Sequence, residues 1–182
     1  MLCIPRAPRE LTLPIDRMWS GAPCPELGRH GWVRLAWEPQ GVVLVAGMPH
    51  PPVSRVPDAP IGRRVPDLWN YDVVECFLAG AGGRYLEVEL GAGGHFLLLS
   101  FDAPRRLVDD HAGFQPALAF ETSPRGWRAR LCVPWVLLPP ELCALNAFAI
   151  VGALHLAHHP LPGDVPDFHQ PARFPPAALE RG

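Results

Sequence analysis

The chain contains no lysine, and all 16 of its basic residues are arginine. A net charge of −2 and the lack of any run of basic residues argue against nucleic-acid binding, because phosphate neutralisation needs clustered cations. The arginine-only usage, with a bias toward alanine, proline, glycine, leucine and valine, indicates the codon usage of a GC-rich genome. From composition we therefore predict a bacterial protein with no nucleic-acid partner.

Long apolar runs are also missing, so no segment is expected to span a membrane, and the N-terminus lacks the apolar core of a signal peptide. The five cysteines include no Cys-x-x-Cys pair. Cys76 and Cys132 lie in apolar strand patterns, where a thiol behaves as a small hydrophobe. This usage argues against a disulfide framework or a zinc site, and we expect a reduced, cytoplasmic protein without a cofactor or membrane partner.

What is present favours an all-β protein. The 182 residues are 48% hydrophobic and 19% charged, which suits one ordinary domain with a real core. Twenty-four prolines and 17 glycines are too many for long helices but suit short strands joined by irregular connections. We predict an antiparallel β-sandwich, jelly-roll-like, with eight to ten strands. It would form a single domain over residues 1–182, with a core at about 30–175 and packed tails.

The most informative segment is a predicted hairpin, in which residues 69–78 and 85–90 flank a glycine-rich turn. In its second strand, polar and aliphatic side chains alternate at period two. One face then carries Tyr85, Glu87 and Glu89, and the other carries Leu86, Val88 and Leu90. A sheet with carboxylates and an aromatic ring on one face and aliphatic side chains on the other suits recognition of a polyhydroxylated ligand.

Several sequence blocks carry a resemblance to a known family; in chain order they are Trp69, Asp72–Leu78, Tyr85–Glu89, Gly94, Trp127–Pro134 and Asn146–Ala149. Their order resembles that of the family 9 carbohydrate-binding module-like fold, a β-sandwich group related to DOMON domains. The similarity is closer still to uncharacterised stand-alone proteins from bacteria and vertebrates, which share the two central blocks and an ending like Pro166–Phe174. The resemblance extends from about Trp32 to Phe174 and implies the sandwich fold.

The resemblance also implies a site. In sugar-binding members of the group an aromatic ring stacks on the sugar and a carboxylate binds its hydroxyls, and the positions that match are Trp69 and Glu75. We predict a non-catalytic module that binds a saccharide or another small polar ligand. The candidate ligand-binding residues are Trp69, Glu75, Glu87, Arg128, Arg130 and His169.

Other interpretations of these residues remain open. Trp69 could cap the core, and Glu75 could form a structural ion pair with Arg128 or Arg130, because a carboxylate in an apolar strand needs a donor. An enzyme acting on a small polar metabolite could use Glu75, Glu87 or His169 as acid or base. An interaction scaffold could use the proline- and arginine-rich loop 49–67.

A metal site is the least supported of the alternatives. His155, His159 and Asp164 are the candidate ligands, since imidazoles and carboxylates cluster in this segment. Their spacing matches no established ligand pattern, and the neighbouring prolines and glycine indicate a loop. Haem is not expected either, because Met48 and the histidines show no recognisable axial spacing. We predict no bound metal.

Overall fold

A computed structural model describes residues 1–24, 30–49 and 54–180. Short 3₁₀ turns occur at Leu68–Asn70, Ala81–Gly83, Trp135–Leu137 and Pro171–Arg173, and none of the helical segments in these ranges is long and apolar enough to cross a membrane. The strands in these ranges are β1 (Leu2–Ile4), β2 (Leu11–Ile15), β3 (Arg17–Met18), β4 (Gly31–Glu38), β5 (Gly41–Met48), β6 (Val73–Ala79), β7 (Tyr85–Gly91), β8 (Phe96–Ala103), β9 (Arg106–Asp109), β10 (Ala119–Ser123), β11 (Gly126–Pro134), β12 (Ala144–Val151), β13 (Leu154–Ala157) and β14 (Ala177–Leu179).

The strands form two antiparallel sheets that pack face to face. The five-stranded sheet has the order β10-β11-β5-β4-β2, and the seven-stranded sheet has the order β3-β13-β12-β6-β7-β8-β9. A separate parallel pair, β1 with β14, joins the two ends of the described chain. The predicted all-β, antiparallel sandwich is confirmed.

The core between the sheets follows from period-two alternation. Every second side chain of a strand points to the same face, so aliphatic residues at alternate positions line one side of each sheet. Leu86, Val88 and Leu90 of β7 point inward and belong to the same buried cluster as Val42 and Leu44 of β5, all of them at most 1% exposed. Burying each of these side chains contributes about 1.5–3 kcal/mol.

The outer face of the seven-stranded sheet is buried as well. Phe77, Tyr85 and Phe148 lie there in a second cluster, covered by Phe168 and Phe174 from the C-terminal segment 160–176, which we call the tail. The rings of Phe148 and Phe168 stack with their centroids 4.1 Å apart. The predicted polar face of the hairpin is therefore an interior surface beneath the tail, and not an open one.

The described ranges contain fourteen strands, more than the eight to ten predicted. One of the added strands follows Asn146–Ala149, where Gly152 adopts a left-handed φ of 59° that turns the chain between β12 and β13. His155 consequently lies on β13 and not in a loop. The N-terminal strands β1 to β3 were not predicted, since their prolines and short lengths mask the alternation. Of the predicted loop 49–67, residues 50–53 lie outside the described ranges.

Asp72, at the start of the central hairpin, is a buried residue that clamps three loops together through hydrogen bonds. Its carboxylate accepts hydrogen bonds from the backbone N–H and Nε of Arg55 at 3.0 and 3.2 Å, and from the N–H of Gly152 at 2.9 Å. Its backbone carbonyl accepts from the N–H of Ala92. One side chain that is only 1% exposed thus fixes the segments on either side of the hairpin.

We expect Asp72→Ala to lower the free energy of unfolding by about 2–4 kcal/mol, because two backbone N–H groups and a guanidinium lose their acceptor. Chemical denaturation followed by circular dichroism measures the change. Glu10→Ala, which removes an exposed carboxylate 3.7 Å from Arg34, is the control and should have little effect. Equal losses in the two variants would contradict the clamp.

Candidate ligand-binding site

A cavity of about 490 Å³ lies on the outer face of the seven-stranded sheet. Side chains of β6, β7 and β8 form its floor, the loop that contains Arg64 to Trp69 forms one wall, and the tail around Pro166 to His169 forms another. The volume falls within the range of about 300–1,000 Å³ that is usual for small-molecule sites.

Strand register brings three glutamates together under this cavity. Glu75 of β6 lies directly opposite Glu89 of β7, and Glu87 lies opposite Phe77, on the diagonal from Glu75. Direct partners on one face have Cβ atoms about 4.5–5.5 Å apart, and diagonal ones about 7–8 Å. Glu75 and Glu87 line the cavity, and Glu89 lies beside them in the sheet. The three residues, which we call the glutamate triad, are 2%, 3% and 0% exposed.

Burial holds the triad in its neutral, protonated form. Loss of hydration raises the pKa of Glu75 to about 8, and it raises the pKa of Glu87 and Glu89 well above the usual range, with repulsion from the neighbouring carboxyls adding to the shift. Oε2 of Glu87 and both carboxyl oxygens of Glu89 have no hydrogen-bond partner among the described residues. The floor of the cavity thus holds unused hydrogen-bonding capacity.

The arginines near the cavity are engaged elsewhere. Arg64 donates to the carboxylate of Asp110 at 2.8 Å and to its backbone carbonyl at 2.9 and 3.0 Å. Arg105 donates to the carboxylate of Asp167 at 2.8 Å. Both cations therefore have carboxylate partners away from the triad, although Arg105 still lowers the pKa of Glu87 slightly through its charge.

His169 is a neutral member of the site with a defined tautomer. The backbone N–H of Arg105 donates to the Tyr85 hydroxyl at 3.0 Å, and the hydroxyl lies 2.7 Å from Nδ1 of His169. Burial raises the pKa of Tyr85 to about 12, so its hydroxyl keeps a proton to donate to Nδ1. Burial, reinforced by the charge of Arg105, lowers the pKa of His169 to about 4. His169 is consequently neutral at pH 7, with its proton on Nε2.

Aromatic and aliphatic side chains complete the walls. Trp69 lines the cavity while remaining 39% exposed, so its ring is available at the opening. It lies in the 3₁₀ turn that follows Asp67, whose φ of 54° is left-handed and sets the direction of the turn. Leu99, Phe101 and Phe168 are among the residues that supply further apolar surface. An amphipathic ligand would meet a ring at the opening and carboxyl groups at the floor.

The structure brings most of the predicted residues together. Trp69, Glu75, Glu87 and His169 line the same cavity, and His155 lines it as well. Their predicted role in ligand binding stays a prediction.

The two arginines were misplaced by sequence reasoning. Arg128 and Arg130 lie on β11 of the opposite sheet, where Arg128 pairs with Glu121 at 2.7 Å and Arg130 pairs with Glu38 at 3.3 Å. The idea that either one neutralises Glu75 is wrong, because both arginines point outward from the five-stranded sheet, whereas Glu75 lies on the outer face of the seven-stranded sheet, across the core.

The suggested metal ligands do not form a site in the described ranges. His159 and Asp164 are not among the residues that line the cavity. Among the described residues, no group of three or more His, Cys, Asp or Glu side chains has the geometry of a metal site. The N–H of His159 instead donates to the side chain of Asn146 at 3.0 Å.

Sequence reasoning did not find Arg64, Arg105 and Phe168 as neighbours of the triad, whereas the period of two correctly placed Tyr85 on the same face of β7 as Glu87 and Glu89. The others come from the 64–69 loop, the β8–β9 turn and the tail, whose positions depend on contacts distant in sequence.

The triad makes stability depend on pH in an unusual direction. The folded chain keeps the Glu75 proton up to about pH 8, whereas the unfolded chain releases it near pH 4.5, so the free energy of unfolding falls as the pH rises through this window. His169 acts in the opposite direction, but only between about pH 4 and 6.5. We expect the melting temperature to fall between pH 6.5 and 8.5, and Glu75→Gln to flatten that decline.

Thermal melts of both proteins across this pH range measure the effect. Since each pKa unit corresponds to about 1.4 kcal/mol, Glu75→Gln should gain roughly 1–3 kcal/mol over the unmodified chain at pH 8.5. Glu121→Gln, an exposed glutamate of the other sheet, should leave the slope unchanged. A slope that is the same in all three proteins would rule out titration of Glu75 in this range.

Comparison with known proteins found relatives by sequence, although no protein-family model matches the chain. The UPF0462 protein C4orf33 homolog of Mus musculus is 33% identical over 180 residues, covering 89% of this chain and 88% of the mouse protein. The Homo sapiens protein of the same name is 32% identical, with 85% and 81% covered, and the Danio rerio homolog is 26% identical, with 91% and 88% covered.

Two solved structures share the fold. A Bacteroides uniformis protein proposed to bind carbohydrate superimposes with a TM-score of 0.70 at 17% identity, covering 93% of this chain and 86% of its own. A family 9 carbohydrate-binding module from Caldicellulosiruptor kristjanssonii, solved in complex with cellotriose, gives a TM-score of 0.63 at 10% identity, covering 98% and 93%. The expected carbohydrate-binding-module-like sandwich is confirmed, whereas the relation to DOMON domains stays a prediction.

The sequence relatives also correct the prediction of a bacterial protein. The matching curated proteins come from mouse, rat, human and zebrafish, so the arginine-only composition was a poor indicator of origin. Codon usage changes the choice between lysine and arginine without changing the fold. By its identity to the mouse protein and the nearly full length of the match, the chain belongs to the UPF0462 family.

Proposed function

We propose that this protein is a non-catalytic binding module that takes a saccharide, or another small polar ligand, into the cavity on the seven-stranded sheet. The observation that carries the proposal is the pairing of a half-exposed tryptophan at the opening with carboxyl groups at the floor. The fold shared with a module that was solved with cellotriose supports the same assignment.

The chemistry of the lining suits a sugar ring. An indole face covers the C–H face of a pyranose, and Trp69 is placed to offer that face at the opening. The neutral carboxyl groups of Glu75 and Glu87 can each donate one hydrogen bond and accept others, as ring hydroxyls require. His169 adds a donor at Nε2, held in that tautomer by Tyr85.

An enzyme is the second candidate, because the cavity does contain converging ionisable groups with shifted pKa values. Glu75, with a pKa of about 8, could serve as a general acid at pH 7. The residues predicted to act with it are poor bases, since Glu87 is protonated and His169, with a pKa of about 4, is a weak acceptor. This pairing of an acid with weak bases favours binding over acid–base catalysis by these residues. The interaction-scaffold alternative has less support, because a cavity replaces the flat apolar patch that it needs.

A thermal-shift screen tests the proposal: the melting temperatures of the unmodified protein and of Trp69→Ala are compared with and without mono- and oligosaccharides. A ligand at 100 times its Kd stabilises the native state by about 2.7 kcal/mol, a shift that is readily measured. Loss of the stacking ring should weaken binding by about tenfold or more, which removes most of the shift.

Trp135→Ala is the matched control. Trp135 is 38% exposed, close to the 39% of Trp69, and it lies away from the cavity, with its indole N–H bound to the carbonyl of Pro39. It should leave the saccharide shift intact. The proposal fails if no saccharide shifts the unmodified protein, or if both tryptophan variants bind sugars equally well.

A further inference from the structure

Among the residues that the structure describes, no cation forms an ion pair with the glutamate triad. Three carboxyl groups lie on one patch of sheet, each at most 3% exposed, and burying acidic groups is normally offset by a paired cation or by hydrogen-bond donors. Glu87 lines the cavity with its Oε2 unpartnered among the described residues. A buried acceptor that borders an open cavity marks a position for a donor that the described residues do not provide.

The charged groups around the cavity leave this position free. The two nearby guanidinium groups already bind Asp110 and Asp167. His169 faces the tyrosine with Nδ1 and is neutral, and burial likewise lowers the pKa of His155. Asp67, which also lines the cavity, adds a further acidic group. Among the described lining residues, the ionisable groups outside these two ion pairs are therefore mainly carboxyl groups.

We propose that the ligand of this cavity carries an ammonium group, as an amino sugar or another hydroxylated amine does, and that the ammonium is bound between Glu75 and Glu87. This inference rests on the proposed function and deepens it by naming the class of ligand. The hydroxylated part of the ligand would lie against Trp69, and the ammonium would reach the floor.

An ammonium fits the floor better than a metal ion or a neutral hydroxyl. The described residues contain no cluster with metal-site geometry. A neutral hydroxyl would only form hydrogen bonds with the free oxygens, whereas an ammonium would also pair with the carboxylate formed at Glu75, in a site that aromatic and aliphatic walls shield from water. The rings of Trp69 and Phe101 add a favourable surface for a cation.

Binding of a cation should release a proton. In the empty site the carboxyl of Glu75 is protonated below about pH 8. When R–NH₃⁺ enters, the O–H bond of the acid breaks, its proton passes to the buffer, and the carboxylate pairs with the ammonium. A neutral sugar bound by the protonated acids would release none, so proton release separates the two modes of binding.

Isothermal titration calorimetry at pH 6.5 tests the inference with glucosamine, glucose and N-acetylglucosamine. Titrations in phosphate and in MOPS, which differ in ionisation enthalpy and contain no primary ammonium, report the protons released, and EDTA in both removes metal ions. We expect glucosamine to bind at least tenfold more tightly than the two neutral sugars and to release up to one proton per ligand.

Three outcomes would separate this inference from the proposed function. Equal affinity for all three sugars without proton release would overturn the ammonium site and leave saccharide binding standing. Binding of ethanolamine with proton release, but of no sugar, would support the ammonium site and overturn the saccharide proposal. Absence of binding by every sugar and by ethanolamine would overturn both.

Glu75→Gln and Glu87→Gln locate the ammonium within the cavity. Glutamine has the shape of the protonated acid but cannot become negative, so each variant should fold, as a thermal melt will verify. Each should reduce the preference for glucosamine at least tenfold, and Glu75→Gln should also abolish the proton release. Glu121→Gln on the other sheet should change neither quantity. Unchanged preference in both cavity variants would overturn the assignment of the ammonium to this pair.

Discussion

The register of β6 against β7 is the constraint on which both the core and the cavity depend. With Glu75 opposite Glu89 and Cys76 opposite Val88, Leu86, Val88 and Leu90 point to the inter-sheet core and the three carboxyls point to the outer face. A slip of β7 by one residue would turn Glu87 and Glu89 into the core and move those aliphatic side chains to the outer face. The glycine-rich turn at 80–83 joins the two strands. The register between them is set by burial of the aliphatic face in the core.

The tail turns a sheet surface into a site. Phe168 and Phe174 pack on Phe148 and Phe77, so the outer face gains a second hydrophobic cluster that stabilises the fold. The tail does not cover the face completely, and the uncovered area above the triad is the cavity. Stability and ligand access are therefore linked, because the same aromatic contacts that anchor the tail also position His169 next to Tyr85.

Electrostatics in this cavity follow from its apolar surroundings. Desolvation favours neutral forms, which raises the pKa of the glutamates and lowers that of His169, so Glu75 and His169 are both neutral at pH 7 when the site is empty. Arg64 and Arg105 form ion pairs with Asp110 and Asp167 and not with the glutamates of the triad. Retaining three buried acids costs stability, and functional sites are where proteins commonly retain such costs.

The sequence by itself determined the elements with strong local periodicity. Alternation in Tyr85–Leu90 placed the glutamates of β7 on one face, and proline and glycine content indicated a sandwich of short strands, because backbone geometry alone sets a period of two. It also singled out Trp69, Glu75, Glu87 and His169. Tertiary structure decided the rest: which sheet carries Arg128, that Glu75 faces Glu89, and that the tail closes over them. Those facts depend on contacts between residues far apart in the chain, and local pattern contains no information on which distant segments meet.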